Sequence, residues 1–109
     1  MLQKQFRLPA YVKLSKASSF ASHLFFLKIN NNNLGYSRFG FVVSKKTSAK
    51  ATDRNRIRRV FRSCIEEMIE EVKPGSDMLF MLKTPILEIK RKELYNELHK
   101  FFSEKDLLK

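Results

Sequence analysis

The 109-residue sequence lacks several features that would point to particular classes of protein. It has one cysteine, Cys64, which excludes an intramolecular disulfide and is typical of a reducing compartment. It has three glycines and no glycine-rich phosphate loop. It also has no run of about 18 apolar residues that could span a membrane. The N-terminus lacks the apolar segment of a signal peptide, so we expect a cytoplasmic protein that makes no membrane contact.

Acidic residues are nearly absent from the first 65 positions. Residues 1–65 carry 14 basic residues and one acid, Asp53, whereas residues 66–109 carry 8 basic and 10 acidic residues. A net charge of +11 on a chain of this size predicts a polyanionic partner, and the asymmetry assigns that partner to the first two-thirds of the sequence. The hydrophobic fraction of 43% is enough for one core, so we expect a single domain over residues 1–109.

The hydrophobic pattern predicts several strands. Residues 24–29 and 39–44 are rich in aromatic and β-branched residues, and an asparagine-rich connection separates them. This arrangement favours two antiparallel strands joined by a loop. Residues 78–82 are continuously apolar, as expected of a buried central strand. Residues 8–19 have only a weak helical pattern.

Two helices complete the predicted α+β sandwich. Residues 54–73 carry one apolar stripe at helical spacing, with Thr52 or Asp53 as candidate N-caps and Pro74-Gly75 as the stop signal. A last helix is predicted from about residue 90 to residue 102. Because a strand precedes and another follows the long helix, those two strands are expected to pair in parallel.

The long helix carries its positive charge at the end where cations are least favourable. Residues 54–62 contain five arginines, and Arg54, Arg58 and Arg62 recur every four residues along one face. Like charges at this spacing cost about 0.2–0.5 kcal/mol per pair, and the helix dipole adds roughly 0.3–1 kcal/mol for each cation at the N-terminus. Bound phosphates would offset both of these energetic costs, because a phosphate can accept hydrogen bonds from the arginine guanidinium groups and from the free backbone N–H groups at the same time. The pattern therefore indicates nucleic-acid binding, with Asn55 as an uncharged donor and acceptor.

No catalytic site of the polypeptide itself is visible. His23 and His99 are isolated from any partner at useful spacing, and no Cys/His zinc pattern exists. Cys64 lies on the apolar stripe, as a small buried hydrophobe would. The acids lie mostly on helix faces rather than in a converging cluster. We therefore expect no catalytic residue and no metal site in the protein.

The residues around the arginine helix resemble the motif of a known family. Arg38 precedes an apolar strand that ends in Ser44-Lys45-Lys46, and Lys50-Ala51 follows in the loop. Next comes Arg54-Asn55-Arg56-Ile57-Arg58-Arg59, continued by Arg62. This order, over roughly residues 18–109, closely resembles the bacterial ribonuclease P protein component.

The resemblance implies a fold and a function. The fold would be a two-layer α/β sandwich of helix, three strands, long helix, strand and helix, with a left-handed βαβ crossover, similar to a domain of a small-subunit ribosomal protein. The chain would be a subunit of ribonuclease P that binds the catalytic RNA and the 5′ leader of precursor tRNA. The RNA would carry out the Mg²⁺-dependent removal of the leader. The protein would bind no cofactor alone, would raise the affinity of the holoenzyme for Mg²⁺, and would require no protein partner.

The resemblance also assigns site residues. Contact with RNA is assigned to the arginine helix and the strand end before it: Arg54, Asn55, Arg56, Arg58, Arg59, Arg62, Ser44, Lys45, Lys46, Lys50 and Arg38. The family holds the leader in a cleft lined by aromatic residues and the first helix. Phe26 and Lys28 share one strand face by the period of two, and Tyr11 matches the first of two aromatic positions on that helix.

The leader cleft is where this chain departs from the family. The second aromatic position falls near Leu14 or Ser15, so this chain has fewer aromatic side chains to stack on bases, each worth about 1–3 kcal/mol. Phe26 is as compatible with the core as with the cleft, whereas Phe20, Phe25 and Phe41 favour core or hinge positions.

Two other classes of protein fit part of the pattern. A basic ribosomal or other structured-RNA-binding protein without a role in cleavage fits the charge and the fold, but not the arginine motif. A DNA-binding regulator using residues 54–62 as a recognition helix would need a second helix-turn-helix element or a dimer zipper, and neither is apparent.

Overall fold

The computed structural model describes residues 3–9, 14 and 17–109. In chain order the main elements are β1 (Ser18–Ala21), β2 (Phe25–Asn31), β3 (Arg38–Val42), α1 (Ala51–Met68), β4 (Ser76–Leu82) and α2 (Arg91–Glu104). Short 3-10 turns lie at Lys4–Phe6, Ile69–Glu71 and Thr84–Glu88. The α+β class and the order of three strands, long helix, strand and helix are confirmed. Of the first helix expected within residues 8–19, positions 18 and 19 belong to β1 instead, and positions 10–13, 15 and 16 lie outside the described residues. Tyr11 is among the latter.

The four strands form one sheet of order β1-β2-β4-β3. β1, β2 and β4 are antiparallel neighbours, and β3 pairs with β4 in parallel, as the strand–helix–strand pattern predicted. β2 and β3 run antiparallel and are joined by a loop, as predicted, but they do not pair with each other, because β4 lies between them. β4 is apolar along most of its length, and a central position gives its backbone a partner on both sides. The handedness of the β3–α1–β4 crossover stays a prediction.

Both helices pack against the same face of the sheet through phenylalanine rings. The Phe25 ring of β2 contacts Phe61 of α1 and Phe101 of α2, at centroid distances of 5.9 and 4.9 Å. The Phe80 ring of β4 contacts Phe61 and Phe102 at 5.0 and 6.1 Å. Edge-on and offset contacts of this kind add about 0.5–1.5 kcal/mol per pair beyond burial. The sandwich is thus fixed at its centre by aromatic contacts between two strands and two helices.

Helix α1 begins three residues earlier than the apolar stripe indicated. Its N-cap is Lys50, which makes no side-chain capping bond, so the prediction that Thr52 or Asp53 caps the helix is wrong. The Ser48 hydroxyl accepts a hydrogen bond from the Lys50 amide and donates one to Asp53, at 3.3 and 3.5 Å. These bonds draw Thr52 and Asp53 into the first turn. Within α1 the predicted stripe is confirmed, but the helix ends at Met68 instead of residue 73, and the 3-10 turn Ile69–Glu71 follows it. These α1 residues are buried: Ile57, Phe61, Cys64, Ile65 and Met68.

The chain before the sheet packs along β3. The Leu8 amide donates a hydrogen bond to the Phe39 carbonyl at 2.9 Å, and Arg7 forms a parallel bridge with Phe39. The Leu8 side chain lies over Gly40, so closely that a β-carbon at position 40 would come within 3.2 Å of it. The N-terminal segment therefore covers the part of the sheet face where Gly40 lies, on the side opposite the helices.

Candidate nucleic-acid interface

Hydrogen bonds within the loop and to its neighbours hold the segment that joins β3 to α1. Ser44 begins a turn in which its carbonyl accepts hydrogen bonds from the Thr47 and Ser48 amides, at 3.0 and 3.3 Å. The Thr47 hydroxyl donates to the Leu82 carbonyl at 2.9 Å, which ties the turn to the end of β4. The Ser48 hydroxyl contacts the first turn of α1. The exposed lysines of this loop are therefore carried on an ordered backbone.

Several arginines of the motif already have partners within the protein. Nη1 of Arg54 donates to the carbonyls of Ser48 and Ala49 at 2.9 and 3.0 Å. Arg58 donates to the Oδ1 atom of Asn55 one turn earlier. The Arg62 guanidinium lies 6.0 Å from the centre of the Phe41 ring, at the limit of a cation–π contact. Asn55, Arg54, Arg58 and Arg62 therefore each make a contact within the protein.

The remaining cations of the motif face solvent. Arg56, Arg59, Lys45, Lys46 and Lys50 are exposed, and within the described part of the chain none of their side chains has a hydrogen bond or ion pair. We call these five residues the basic surface. The only acid in the first 65 residues, Asp53, bonds to Ser48 instead. These cations have no acidic partner and lie beside a helix N-terminus that has no side-chain cap. Such an arrangement is suited to binding phosphates.

Arg38 occupies a different position from the other basic residues of the motif. Its Nε and Nη2 atoms donate to the two carboxylate oxygens of Asp77, both at 2.8 Å, and its side chain is 17% exposed. The structure therefore gives Arg38 a fixed contact between β3 and β4. Its contact with RNA stays a prediction.

Asp77 and Asn32 form a network that sequence reasoning missed. Nδ2 of Asn32 donates to Oδ1 of Asp77 at 2.9 Å and to the Tyr36 carbonyl at 3.2 Å. Burial would raise the pKa of Asp77, but the hydrogen bonds from Arg38 and Asn32 and the charge of Arg38 outweigh it and hold that pKa below its ordinary value. The signal for this network in the sequence was Asp77, an acid at the start of an apolar strand. Its partner in β3, Arg38, is 39 positions away in the sequence.

The residues proposed for the leader cleft lie on the face of the sheet opposite the helices. Alternation along β2 buries Phe25 and Leu27 in the core and turns Phe26 and Lys28 to the second face, where both are half-buried. Phe26 is therefore outside the core, while Phe25 is buried in it, and Phe20 and Phe41 pack against it. Across the sheet, Phe26 is aligned with Ala21 of β1 and Met81 of β4. Met81 is in turn aligned with Val42 of β3, which lies two residues before Ser44. This row leads from β1 to the loop of the basic surface.

The described residues offer few groups for chemistry by the protein. Among them no group of three or more His, Cys, Asp or Glu side chains is arranged to hold a metal ion. Burial raises the pKa of the Cys64 thiol, so this cysteine lacks the thiolate character of a reactive nucleophile. No helix in the described part of the chain is long and apolar enough to cross a bilayer.

Solved structures share this fold. A Staphylococcus aureus RNase P protein superposes with a TM-score of 0.82 at 21% sequence identity, covering 95% of this chain and 98% of that one. The RNase P protein of Thermotoga maritima superposes with a TM-score of 0.78 at 21% identity, over 87% of this chain and 93% of its own. At this identity the likeness defines the fold class: the α+β architecture of bacterial RNase P proteins.

Sequence comparison then gives the family. The Ribonuclease P family model matches residues 10–106. A Ribonuclease P protein component of Fusobacterium nucleatum is 36% identical over 83 residues, which is 72% of this chain and 74% of that protein. One from Thermoanaerobacter is 32% identical over 93 residues, 85% of this chain and 79% of its own. The chain belongs to the Ribonuclease P protein family, whose members are subunits of an endoribonuclease complex that processes tRNA.

Proposed function

We propose that this chain binds the catalytic RNA of ribonuclease P through the basic surface and supports endonucleolytic removal of the 5′ leader from precursor tRNA. The observation that carries the proposal is the set of five exposed cations on an ordered loop and helix start, none with a protein partner in the described structure. Phosphate contacts of this kind release counterions, so binding will weaken steeply as salt rises. Family membership supports the choice of RNA.

The second face of the sheet is the proposed site for the leader. Phe26 supplies an aromatic ring and Lys28 a cation on adjacent rows of this face, and the Phe26 row leads to the loop of the basic surface. A single strand bound there would stack on Phe26 and approach Lys45 and Lys46. Tyr11 is proposed as a further stacking residue, although it lies outside the described residues.

The chemistry in this proposal belongs to the RNA subunit. Mg²⁺ in the holoenzyme would supply a Lewis acid and an activated water for phosphodiester hydrolysis. The described residues provide no metal-binding cluster, so the ions would be held by RNA. The part played by the protein is to neutralise phosphates where the two RNAs meet, which favours ion binding by lowering repulsion between the strands.

A reconstituted cleavage assay tests the proposal. The protein is mixed with a bacterial ribonuclease P RNA and end-labelled precursor tRNA at low Mg²⁺ and near-physiological salt. We expect cleavage at the mature 5′ end only when both RNA and protein are present. A rate independent of the protein, with RNA binding intact, would overturn the proposal and favour a basic structured-RNA-binding protein without a role in cleavage.

Substitution of Phe26 tests the leader site separately. Phe26→Ala should weaken binding of the reconstituted complex to precursor tRNA by about 1–3 kcal/mol, the value of one stacked base. Binding of mature tRNA, which has no leader, should be unchanged and serves as the control. Equal losses for the two tRNAs, or none for either, would exclude Phe26 from the leader site.

A further inference from the structure

Arg54 binds three consecutive carbonyls of the loop before its own helix. Its guanidinium Nη1 donates to the carbonyls of Ser48 and Ala49 at 2.9 and 3.0 Å, and its backbone amide donates to the Lys50 carbonyl at 3.1 Å. Hydrogen bonds from a charged donor are stronger than neutral ones, and a planar guanidinium is well shaped to bridge neighbouring acceptors. Arg54 therefore closes the loop against the first turn of α1.

The segment that Arg54 holds carries the lysines of the basic surface. Lys45 and Lys46 lie just before Ser48, Lys50 is the last of the three residues whose carbonyls Arg54 binds, and all three lysine side chains are exposed. Other contacts also hold this loop: the turn bonds to the Ser44 carbonyl, the bond from the Thr47 hydroxyl to the Leu82 carbonyl, and the weaker contacts of the Ser48 hydroxyl with the Lys50 amide and Asp53, at 3.3 and 3.5 Å. Without the Arg54 guanidinium, the Ser48 and Ala49 carbonyls would lose their bonds to α1, and only the backbone bond from residue 54 to the Lys50 carbonyl and the Ser48 contacts would remain.

We propose that Arg54 is a positioning residue, which increases RNA affinity by fixing the backbone that presents Lys45, Lys46 and Lys50. This inference rests on the proposed function. It separates Arg54 from Arg56 and Arg59, whose exposed guanidinium groups have no protein acceptor in the described structure. The backbone carbonyls that Arg54 binds are neutral, so Arg54 keeps its positive charge. The effect of its hydrogen bonds on RNA affinity can therefore be tested separately from the effect of its charge. Lysine keeps the charge, but its ammonium ends one bond short of the Nη1 position that reaches both carbonyls.

Affinity measurements in two backgrounds test the proposal. Equilibrium binding to the catalytic RNA is measured for wild type, Arg54→Lys and Arg54→Ala, and again with Lys45, Lys46 and Lys50 all replaced by alanine, at one reduced salt concentration. We expect both Arg54 variants to lose about tenfold in affinity in the wild-type background, because the loop contacts are lost in both. In the lysine-free background the same substitutions should change affinity less than about twofold, because the groups that Arg54 positions are gone.

Direct phosphate contact by Arg54 gives the opposite result. Arg54→Lys would then retain most of the affinity, and the loss in Arg54→Ala would be equal in both backgrounds. Either outcome would overturn the proposal. Arg59→Lys is the matched comparison, because an exposed arginine without protein acceptors should tolerate the change far better than Arg54 does. In reconstituted cleavage, Arg54→Lys should raise the protein concentration needed for half-maximal cleavage.

A measurement on the protein alone separates this inference from the proposed function. NMR relaxation of the backbone amides of residues 48–50 should give order parameters of about 0.85 in wild type and about 0.6 in Arg54→Lys. The order parameters of the sheet should not change. Unchanged order parameters would overturn the positioning role even if RNA binding is confirmed. If wild type fails to bind the catalytic RNA while the loop loosens as expected, the proposed function fails and the role of Arg54 in ordering the loop remains.

Discussion

At the scale of single residues, residue type and position predict exposure better than they predict partners. The spacing of the arginines correctly indicates a helix with a cationic first half. It does not indicate that Arg54 bonds to the loop, Arg58 to Asn55, or Arg38 to Asp77. Those partners depend on the path of the loop and on the alignment of β3 with β4, and both are set by contacts between distant residues. Arg56 and Arg59 keep the exposure that the pattern predicts.

Removal of Asp77 should be costly. The Asp77 side chain is 6% exposed and accepts hydrogen bonds from Nε and Nη2 of Arg38, so Asp77→Ala removes two charge-assisted bonds and a buried carboxylate from between β3 and β4. We expect a loss of roughly 3 kcal/mol in the free energy of unfolding, measured by urea denaturation. Glu104→Ala, which removes an exposed i,i+4 pair with Lys100, is the control and should cost about 0.5 kcal/mol or less. Similar values for the two variants would contradict this role for Asp77.

The same carboxylate should contribute to the stability of the protein against acid. The pKa of Asp77 in the folded protein lies below its ordinary value of 3.8. Its contribution is therefore complete above that ordinary value and disappears as the pH falls through the lower pKa of the folded state. Asp77→Asn should show a shallower loss of unfolding free energy than wild type between about pH 5 and about pH 2. Identical slopes for the two proteins would show that Asp77 is not held ionised by folding.

At the scale of the elements, local patterns predict the helices and strands but not which strands are neighbours. The apolar sequence of β4 correctly predicts a central strand. The asparagine-rich connection correctly indicates a loop between antiparallel strands, but not that β4 separates them. The Asn32 side chain bonds to Asp77 of β4, and the Asn32 backbone amide donates to the Gly75 carbonyl at 2.9 Å. The connection is thus shaped to bring β4 between β2 and β3. Strand order depends on these long-range contacts, which a local pattern does not contain.

The turn from α1 into β4 depends on Gly75. Its φ of +97° lies in a region that residues with a β-carbon rarely adopt, although no neighbouring atom would come closer than 3.6 Å to an added β-carbon. Gly75→Ala should therefore cost about 1–3 kcal/mol of unfolding free energy through backbone strain alone. Gly35→Ala is the matched control, since nothing lies within 4 Å of its added β-carbon, and it should be neutral or slightly stabilising. Equal effects in thermal or urea unfolding would contradict the strain argument.

At the scale of the whole molecule, the two charge regions of the sequence have separate roles. Glu67 and Glu71, at the C-terminal end of α1 and just beyond, contact Arg91 and His99 of α2 at 3.2 and 3.4 Å. These acids therefore join the two helices and do not neutralise the arginines at the other end of α1. The charge asymmetry of the sequence thus predicted both a scaffold and a basic surface. The pairing of these acids with particular residues of α2 could not be predicted from the sequence, because it depends on how the two helices pack.

The most direct test of this account is the protein concentration needed for half-maximal cleavage of precursor tRNA by the catalytic RNA. For Arg56→Ala/Arg59→Ala we predict a higher concentration than for wild type, with an unchanged plateau. Its binding affinity should also depend less on salt, by about 0.7–0.9 in logarithmic slope for each lost phosphate contact. Lys90→Ala/Lys92→Ala removes the same charge from the start of α2 and is the control. Equal half-maximal concentrations for the arginine variant and wild type would contradict the assignment of RNA binding to the basic surface.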